Sequence, residues 1–238
     1  MLSYCWFILG NGRSRYLERT IASWEANLLE KPEHQIIFDD SGSQEYRDWL
    51  EVKFGDRFAI IPIAENNAGH SASVNSIFEV LSTLNVDYAL EVEEDWMLFR
   101  PISIHEIIET LEENPQLTQM RIPRTVWHES ATHSMDMEYG SLLRHYTENN
   151  FYLKHDNWYE FRTTSYFWSH NPCVFNTRIC NNIYPDTGIS SEFNFGIELL
   201  QENSKNTFAY WAKNVYDGYV THIGYHEKFL ALGIPEIF

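Results

Sequence analysis

Short apolar segments alternate with helical patterns through the first half of this chain. Four runs of strand length are present: Ser3–Leu9, Gln35–Phe38, Ala59–Ile63 and Tyr88–Val92. Between them, apolar residues recur at spacings of three and four, as from Leu17 to Leu28, which predicts buried helix faces. Ser103 and Glu106 form a capping box before a further apolar helix. Such alternation predicts an α/β fold, in which helices cover a mostly parallel sheet.

The second half of the chain is less regular. Met120–Ile122 and Tyr166–Phe167 predict two strands, separated by a long polar and aromatic stretch, Trp127–Thr164. A connection of that length within a compact domain is usually functional. No internal repeat or linker-like composition divides the 238 residues, so we expect a single domain.

Composition restricts the possible setting and partners. Seventeen basic and 34 acidic residues give a net charge of −17, which disfavours nucleic acid and anionic membranes without excluding a local basic groove. No apolar stretch approaches the roughly 20 residues that span a bilayer. Three cysteines without metal spacing suit a reducing compartment, and the apolar start lacks the basic region of a signal peptide. These features predict a soluble cytoplasmic protein.

Polar clusters follow three of the predicted strands. They are Asp39-Asp40, Asn66–Gly69 and Glu93–Asp95. Ligands of open α/β sheets bind beyond the carboxyl ends of strands, so these clusters are expected to converge. Five carboxylates lie between Asp87 and Asp95 with no Lys or Arg among them, which favours a site for a hard divalent ion such as Mg²⁺ or Mn²⁺. A plain acidic loop is the alternative on pattern alone.

Four segments in order resemble GT-A fold glycosyltransferases, in particular the large inverting family of bacterial and phage enzymes. Leu90–Leu98 resembles its Asp-x-Asp metal motif with Glu in the leading position, and Gly12–Ser23 its first loop and helix. Ile36–Ser43 resembles its Asp-Asp-Gly-Ser turn, and Asn67–Asn75 its Asn-x-Gly segment. The resemblance implies a GT-A, Rossmann-like, mixed sheet in one domain over 1–238. Residues 1–100 would then bind the nucleotide sugar and 101–238 the acceptor.

The resemblance also implies a donor site. Asp39 would accept a hydrogen bond from the nucleotide base, usually uracil, and Asp40 could share or take that role. Arg13, Asn67 and Glu94 would complete the nucleotide pocket. The metal, Mn²⁺ or Mg²⁺, would be held by the following residues: Glu93, Asp95 and His222, with His226 as the alternative histidine. A structural histidine and a solvated Arg13 are the competing explanations.

On the acceptor side, the resemblance implies a catalytic base and a lining strand. The family commonly has Glu-Asp at the start of a helix, whereas this chain has Glu192-Phe193, so Glu192 becomes the candidate base. A carboxylate that merely stabilises the first helical turn is the alternative. Trp168 and His170 lie in a segment resembling an acceptor-lining strand, although core packing also explains a lone tryptophan.

The implied function is metal-dependent transfer of a hexosyl group from a nucleotide diphosphate sugar, UDP-sugar favoured, to an acceptor hydroxyl with inversion. The acceptor could be a glycan, a protein or a modified base, and the setting bacterial cytoplasm or the host cytoplasm of a phage. Two alternatives stay open. A nucleotidyltransferase would use a similar sheet and Mg²⁺, and a carbohydrate-binding protein without catalysis would explain the missing Asp after Glu192.

Overall fold

Nine strands form one mixed sheet in a computed structural model of the chain, which describes residues 3–63, 69–123, 152–161, 168–188, 191–202, 207–213 and 218–225. In chain order these strands are β1 Tyr4–Gly10, β2 His34–Asp39, β3 Ala59–Pro62, β4 Tyr88–Glu93, β6 Leu117–Arg121, β7 Tyr152–Lys154, β8 Trp158–Phe161, β9 Cys173–Asn176 and β10 Thr207–Trp211. Two shorter strands, β5 Trp96–Leu98 and β11 Val220–His222, pair antiparallel as a separate sheet.

The strand order is β3-β2-β1-β4-β9-β6-β10-β8-β7. The first four strands in this order run parallel, and β6 and β10 are also parallel to one another. β9 is antiparallel to both of its neighbours, so its beginning lies at the edge where β4 and β6 end. The ends of β1, β2 and β4 and the start of β9 therefore meet at one edge of the sheet, called the carboxyl edge below.

Helices cover both faces of the sheet. They are α1 Ser14–Asn27, α2 Gln44–Phe54, α3 His70–Thr83, α4 Ile104–Glu113 and α5 Ser191–Glu202. Residues of α1, α2 and α4 share one apolar cluster, and residues of α3 and α5 share the other. Alternate residues of β1 supply both clusters, with Trp6 and Ile8 on one face and Phe7 on the other. The result is a three-layer arrangement in which the sheet lies in the middle.

The α/β prediction is confirmed, and the first four predicted strands agree with β1 to β4 to within a residue or two at each end. Ser103 caps α4 by accepting a hydrogen bond from the backbone N–H of Glu106, as the capping box predicts. The returning contact differs, because Glu30 accepts bonds from the Ser103 hydroxyl at 2.6 Å and the Ile104 N–H at 2.9 Å.

The second half departs further from the prediction. Two short strands, β7 and β8, lie in the stretch expected to be irregular, and their antiparallel pairing extends the sheet through β10. The sequence pattern also did not predict α2, β9 and β10. The predicted strand Tyr166–Phe167 lies outside the described residues. None of the helices in the described ranges is both long and apolar enough to cross a bilayer.

Candidate active site at the carboxyl edge

Two of the predicted acidic clusters meet beside the end of β1. Gly10 is in register with Asp39 of β2, and Leu9 is in register with Glu93 of β4. The Glu94 N–H donates to the Leu9 carbonyl at 3.1 Å, which extends the alignment one residue past β4. The convergence expected of parallel strand ends is therefore present in the described residues.

Asp39 is fully buried, and its carboxylate is occupied within the protein. Oδ1 accepts from the Ser41 N–H at 3.0 Å and the Ser41 hydroxyl at 2.6 Å, and Oδ2 accepts from Arg47 Nε at 3.0 Å. Neighbouring Asp40 accepts from the Ser73 hydroxyl at 2.7 Å through Oδ1, and its Oδ2 accepts no hydrogen bond from the described residues. Burial raises the pKa of Asp40, Ser73 opposes that rise, and the charge of Asp39 adds to it. Of the two, Asp40 keeps the oxygen better able to accept a bond from a ligand.

Glu94 holds the loop between β1 and α1 instead of facing a pocket. It is 1% exposed, and Oε2 accepts from the N–H groups of Asn11 at 2.9 Å and Arg13 at 3.2 Å. Its other oxygen receives Arg13 Nε at 2.5 Å. Burial raises the pKa of Glu94, and the bonds and charge of Arg13 oppose that rise. The loop therefore contacts both oxygens of Glu94, and the assignment of Glu94 to nucleotide binding stays a prediction.

Asp95 and His222 converge, as the metal prediction requires. The Oδ2 atom of Asp95 lies 3.4 Å from His222 Nε2 and accepts from Arg13 Nη1 at 2.7 Å. Gly224 makes this approach possible, because a Cβ at that position would overlap Asp95 Oδ2. Arg13 is about half exposed, with 46% of its side chain accessible, so it presents a cationic group beside Asp95 at the carboxyl edge.

Glu93 lies on the same strand end but makes a different contact. Its Oε2 accepts from Trp96 Nε1 at 3.0 Å. Burial, and then the charge of Asp95, raise the pKa of Glu93 to about 7. Within the described ranges, no three His, Cys, Asp or Glu side chains are grouped closely enough to form a metal site by themselves.

The chemistry of the Asp95–His222 pair nevertheless fits a divalent cation. A carboxylate oxygen and an imidazole nitrogen are both ligands of Mn²⁺, and 3.4 Å is a reasonable separation for two neighbouring ligands of one ion. Ions of this class commonly take remaining ligands from substrate phosphates and water. Arg13 Nη1 donates to the same oxygen, Asp95 Oδ2. A metal ion bound there would therefore share that oxygen with the Arg13 guanidinium.

A second group of polar residues lies at the start of β9. His170 is 4% exposed, and its Nδ1 donates to Glu91 Oε1 at 2.7 Å. The backbone N–H of His170 donates to Glu192 Oε1 at 2.8 Å, so one residue connects the β4 strand to the first turn of α5. His170 therefore holds the candidate base, Glu192, through its backbone N–H. Its own side chain is too buried to line an acceptor surface.

Glu91 also governs the charge of His170. Burial lowers the pKa of His170, but hydrogen-bonded Glu91, with Glu192 and Glu93, raises it to about 9. A 3.3 Å contact, in which Trp168 Nε1 donates to His170 Nε2, favours a neutral ring instead. The Glu91 contact is shorter and involves a full charge, so we take the raised pKa as the dominant effect.

Trp168 is a core residue. It is 2% exposed, and its ring lies 5.1 Å from that of Phe175 and 5.3 Å from that of Phe195. The expected sugar-stacking role is corrected accordingly, because neither face of the ring is open to a ligand. The two remaining candidate site residues, Asn67 and His226, lie outside the described residues.

Sequence reasoning missed the roles of two residues, Glu91 and His70. Glu91 alternates with Glu93 on one face of β4, and a carboxylate within a buried strand needs a partner, which was a usable signal. His70 begins α3, and its ring packs edge-on against His170 with centroids 4.9 Å apart. Nothing in the local sequence of His70 indicates that neighbour, which is 100 residues away.

Comparisons with known proteins identify the fold. No family model and no curated protein matches the chain. The crystal structure of residues 1–349 of TarS from S. aureus has a TM-score of 0.60 at 11% identity, and the match covers 97% of this chain and 63% of that one. Structures of the same portion in complex with UDP-GlcNAc and with UDP have TM-scores of 0.58 and 0.56, again at 11% identity.

The two complexes are covered to 58% and 60% of their length, against 92% of this chain. The chain therefore spans less than two thirds of these TarS structures. At 11% identity the likeness concerns the fold alone, which is a mixed, mostly parallel sheet with flanking helices. The chain shares the fold of the TarS structures, a single domain with a mixed, mostly parallel sheet between flanking helices.

Proposed function

We propose that this chain is a glycosyltransferase that moves a hexosyl group from a nucleotide diphosphate sugar, UDP-sugar favoured, to an acceptor hydroxyl with inversion. The observation that carries the proposal is a shared fold over 92% of the chain with a protein crystallised with UDP-GlcNAc and with UDP. Asp40, Arg13 and Asp95 lie at the carboxyl edge, where open α/β sheets bind ligands.

The donor half of the site must bind and stabilise a diphosphate. Arg13 supplies a permanent positive charge there, fixed by Glu94 and Asp95. Asp95 and His222, with Glu93 nearby, would hold Mn²⁺ or Mg²⁺, which when bound offsets the negative charge that develops on the leaving diphosphate. Asp40 would accept a hydrogen bond from the base through its second carboxylate oxygen.

The acceptor half must remove a proton from the attacking hydroxyl. Glu192 lies in the first turn of α5, and its Oε1 is fixed by the His170 N–H. In the proposed step the acceptor oxygen forms a bond to the anomeric carbon while the bond to the diphosphate oxygen breaks and its electron pair leaves with UDP. Glu192 takes the hydroxyl proton, and attack from the opposite face inverts the anomeric centre.

Product analysis tests this proposal. We expect the purified protein, given MnCl₂ and a panel of UDP-, GDP-, CDP- and dTDP-sugars, to release the nucleoside diphosphate from at least one UDP-sugar. Release of pyrophosphate from a sugar phosphate and a nucleoside triphosphate would indicate a nucleotidyltransferase instead. Binding of sugars with no release of nucleotide would indicate the non-catalytic alternative.

A further inference from the structure

We infer that His70 is a second catalytic residue of the acceptor site, where it acts on the same hydroxyl as Glu192. The inference rests on the proposed glycosyl transfer and adds to it a residue on another helix. The structural basis is the juxtaposition of the first turns of α3 and α5 beside His170.

Three contacts place His70 next to Glu192. The hydroxyl oxygens of Ser71 and Ser191 lie 3.4 Å apart, so the starts of α3 and α5 touch. His70 and Glu192 are the sequence neighbours of these two serines. Both residues also contact His170, since the His70 ring packs edge-on against its ring and Glu192 accepts its backbone N–H at 2.8 Å.

The His70 ring is held by aromatic packing and is exposed to solvent. Its centroid lies 4.9 Å from that of His170 and 5.9 Å from that of Tyr184, each at a nearly perpendicular angle. No hydrogen bond joins a ring nitrogen of His70 to any of the described residues, whereas Nδ1 of His170 bonds to Glu91 inside the protein. The polar atoms of His70 are thus available to a ligand.

The hydroxyl of Tyr184 is a second polar group in this cluster of His70, His170 and Tyr184. Tyr184 is 1% exposed, and its hydroxyl is buried with no hydrogen-bond partner among the described residues. Both His70 and His170 contact its ring, so an unsatisfied donor belongs to the same cluster. Buried polar groups normally have partners, and a missing one is expected where a ligand or water binds.

The surrounding charges favour a neutral His70. The packed part of the ring is shielded from water, which lowers the pKa of His70; the charge of His170 lowers it further, and the charge of Glu192 opposes both. The groups that face the ring are His170 before β9, Tyr184 before α5 and Glu192 within α5. A neutral imidazole has a lone pair that can accept a proton at neutral pH, as a general base requires.

In the inferred step, His70 takes the place of Glu192 as the proton acceptor: the acceptor O–H bond breaks and its proton passes to a ring nitrogen of His70 instead of to Glu192. The oxygen electron pair forms the new bond to the anomeric carbon, and the bond to the diphosphate breaks with its electrons on UDP. Glu192 stabilises the resulting imidazolium and positions the hydroxyl. Charge and atoms balance, because the proton stays on His70 until it is released to solvent.

A ring-preserving substitution tests the inference. His70→Phe keeps the edge-on packing and removes both nitrogens, so we expect its rate of UDP release from UDP-GlcNAc, with water as acceptor, to fall about 100-fold. Protonation of His70 should account for part of the loss of wild-type activity at low pH, and the variant should lack that part of the decline. His105→Phe is the matched control, because His105 packs edge-on against Tyr4, the first residue of β1, at the opposite edge of the sheet.

An unchanged rate and pH profile in His70→Phe would overturn the catalytic role, provided that its circular dichroism matches wild type. NMR titration gives a readout that needs no activity: the pKa of His70 should fall in Glu192→Gln, and an unchanged pKa would refute the juxtaposition. If the wild type releases nucleotide from no donor while this shift is present, the proposed reaction is wrong and the pairing of the two residues is right.

Discussion

The carboxylates at the carboxyl edge differ in function because each has different partners. Asp39 and Glu94 are buried acceptors that fix two loops, and their oxygens are used within the protein. Asp40 and Asp95 each retain capacity for a ligand, although neither is more than 8% exposed. A buried carboxylate is stabilised only by hydrogen bonds or a nearby cation, so its partners determine what role is left to it.

Asp95 is the residue whose loss should most affect turnover. Asp95→Asn keeps the shape of the side chain and removes the charge that attracts Arg13 and any cation beside His222. We expect UDP release to fall by at least about 100-fold, an effect of the size caused by loss of one electrostatic contact in a transition state. The same assay on Asp87→Asn, an exposed change before β4, should match wild type. Wild-type turnover in Asp95→Asn would refute the metal assignment.

Asp40 should make the stability of the fold depend on pH. Its folded pKa is raised, so the carboxyl favours the folded state below the ordinary value of 3.8, and that contribution is lost as the pH rises through the folded pKa. Asp40→Asn carries no charge at any pH. We therefore expect its free energy of unfolding, relative to wild type, to increase between pH 3.5 and pH 8, measured by urea denaturation. A difference that is constant across this range would contradict the burial argument.

At the scale of elements, the first half of the fold was predictable because its core-forming residues are periodic. Leu17, Ile21 and Trp24 are all buried on α1, and the apolar run of β4 is buried along its length. Short strands such as β9 and β10 carry no such pattern over four or five residues. Their pairing with β6 is a tertiary contact, and local sequence does not encode it.

The candidate site was also predictable only in part. The acidic strand ends followed from residue type and position, whereas the pairing of Asp95 with His222 was implied only by the resemblance to glycosyltransferases. The burial of Trp168 and the neighbours of His70 did not follow from residue type or position, because both depend on how α3, α5 and β9 pack. Residue type alone cannot separate a tryptophan that binds a sugar from one in the core.

The start of α4 offers a direct test of which residue completes its cap. The sequence favours Glu106 as the reciprocal partner of Ser103, whereas the structure places Glu30 on the Ser103 hydroxyl and the Ile104 N–H. We expect Ser103→Ala and Glu30→Gln each to lower the free energy of unfolding by about 1 kcal/mol. Glu106→Gln is the matched change and should cost little. A larger effect of Glu106→Gln than of Glu30→Gln would favour the original capping box.

At the scale of the whole molecule, the charge of −17 is opposed at the carboxyl edge by a few fixed cations. Arg47 contacts Asp39, and Arg13 contacts both Glu94 and Asp95. These two arginines are matched by three carboxylates, so the edge has little free positive charge of its own, and a bound divalent ion would supply the local reversal of sign that a diphosphate needs. A long polyanion cannot confine itself to this edge and would also meet the acidic surface.

Binding of duplex DNA therefore separates the possible acceptors. Repulsion from a chain with 34 acidic and 17 basic residues should leave a 20-base-pair duplex unbound at 150 mM NaCl, with a dissociation constant weaker than about 10⁻⁴ M. Lowering the salt to 50 mM should change little, since few phosphates would be neutralised and few counterions released. Fluorescence anisotropy with a labelled duplex measures both conditions. Tight binding that weakens steeply with salt would indicate a basic groove and would favour a modified nucleobase as the acceptor. Absence of binding would favour a glycan or a protein as the acceptor.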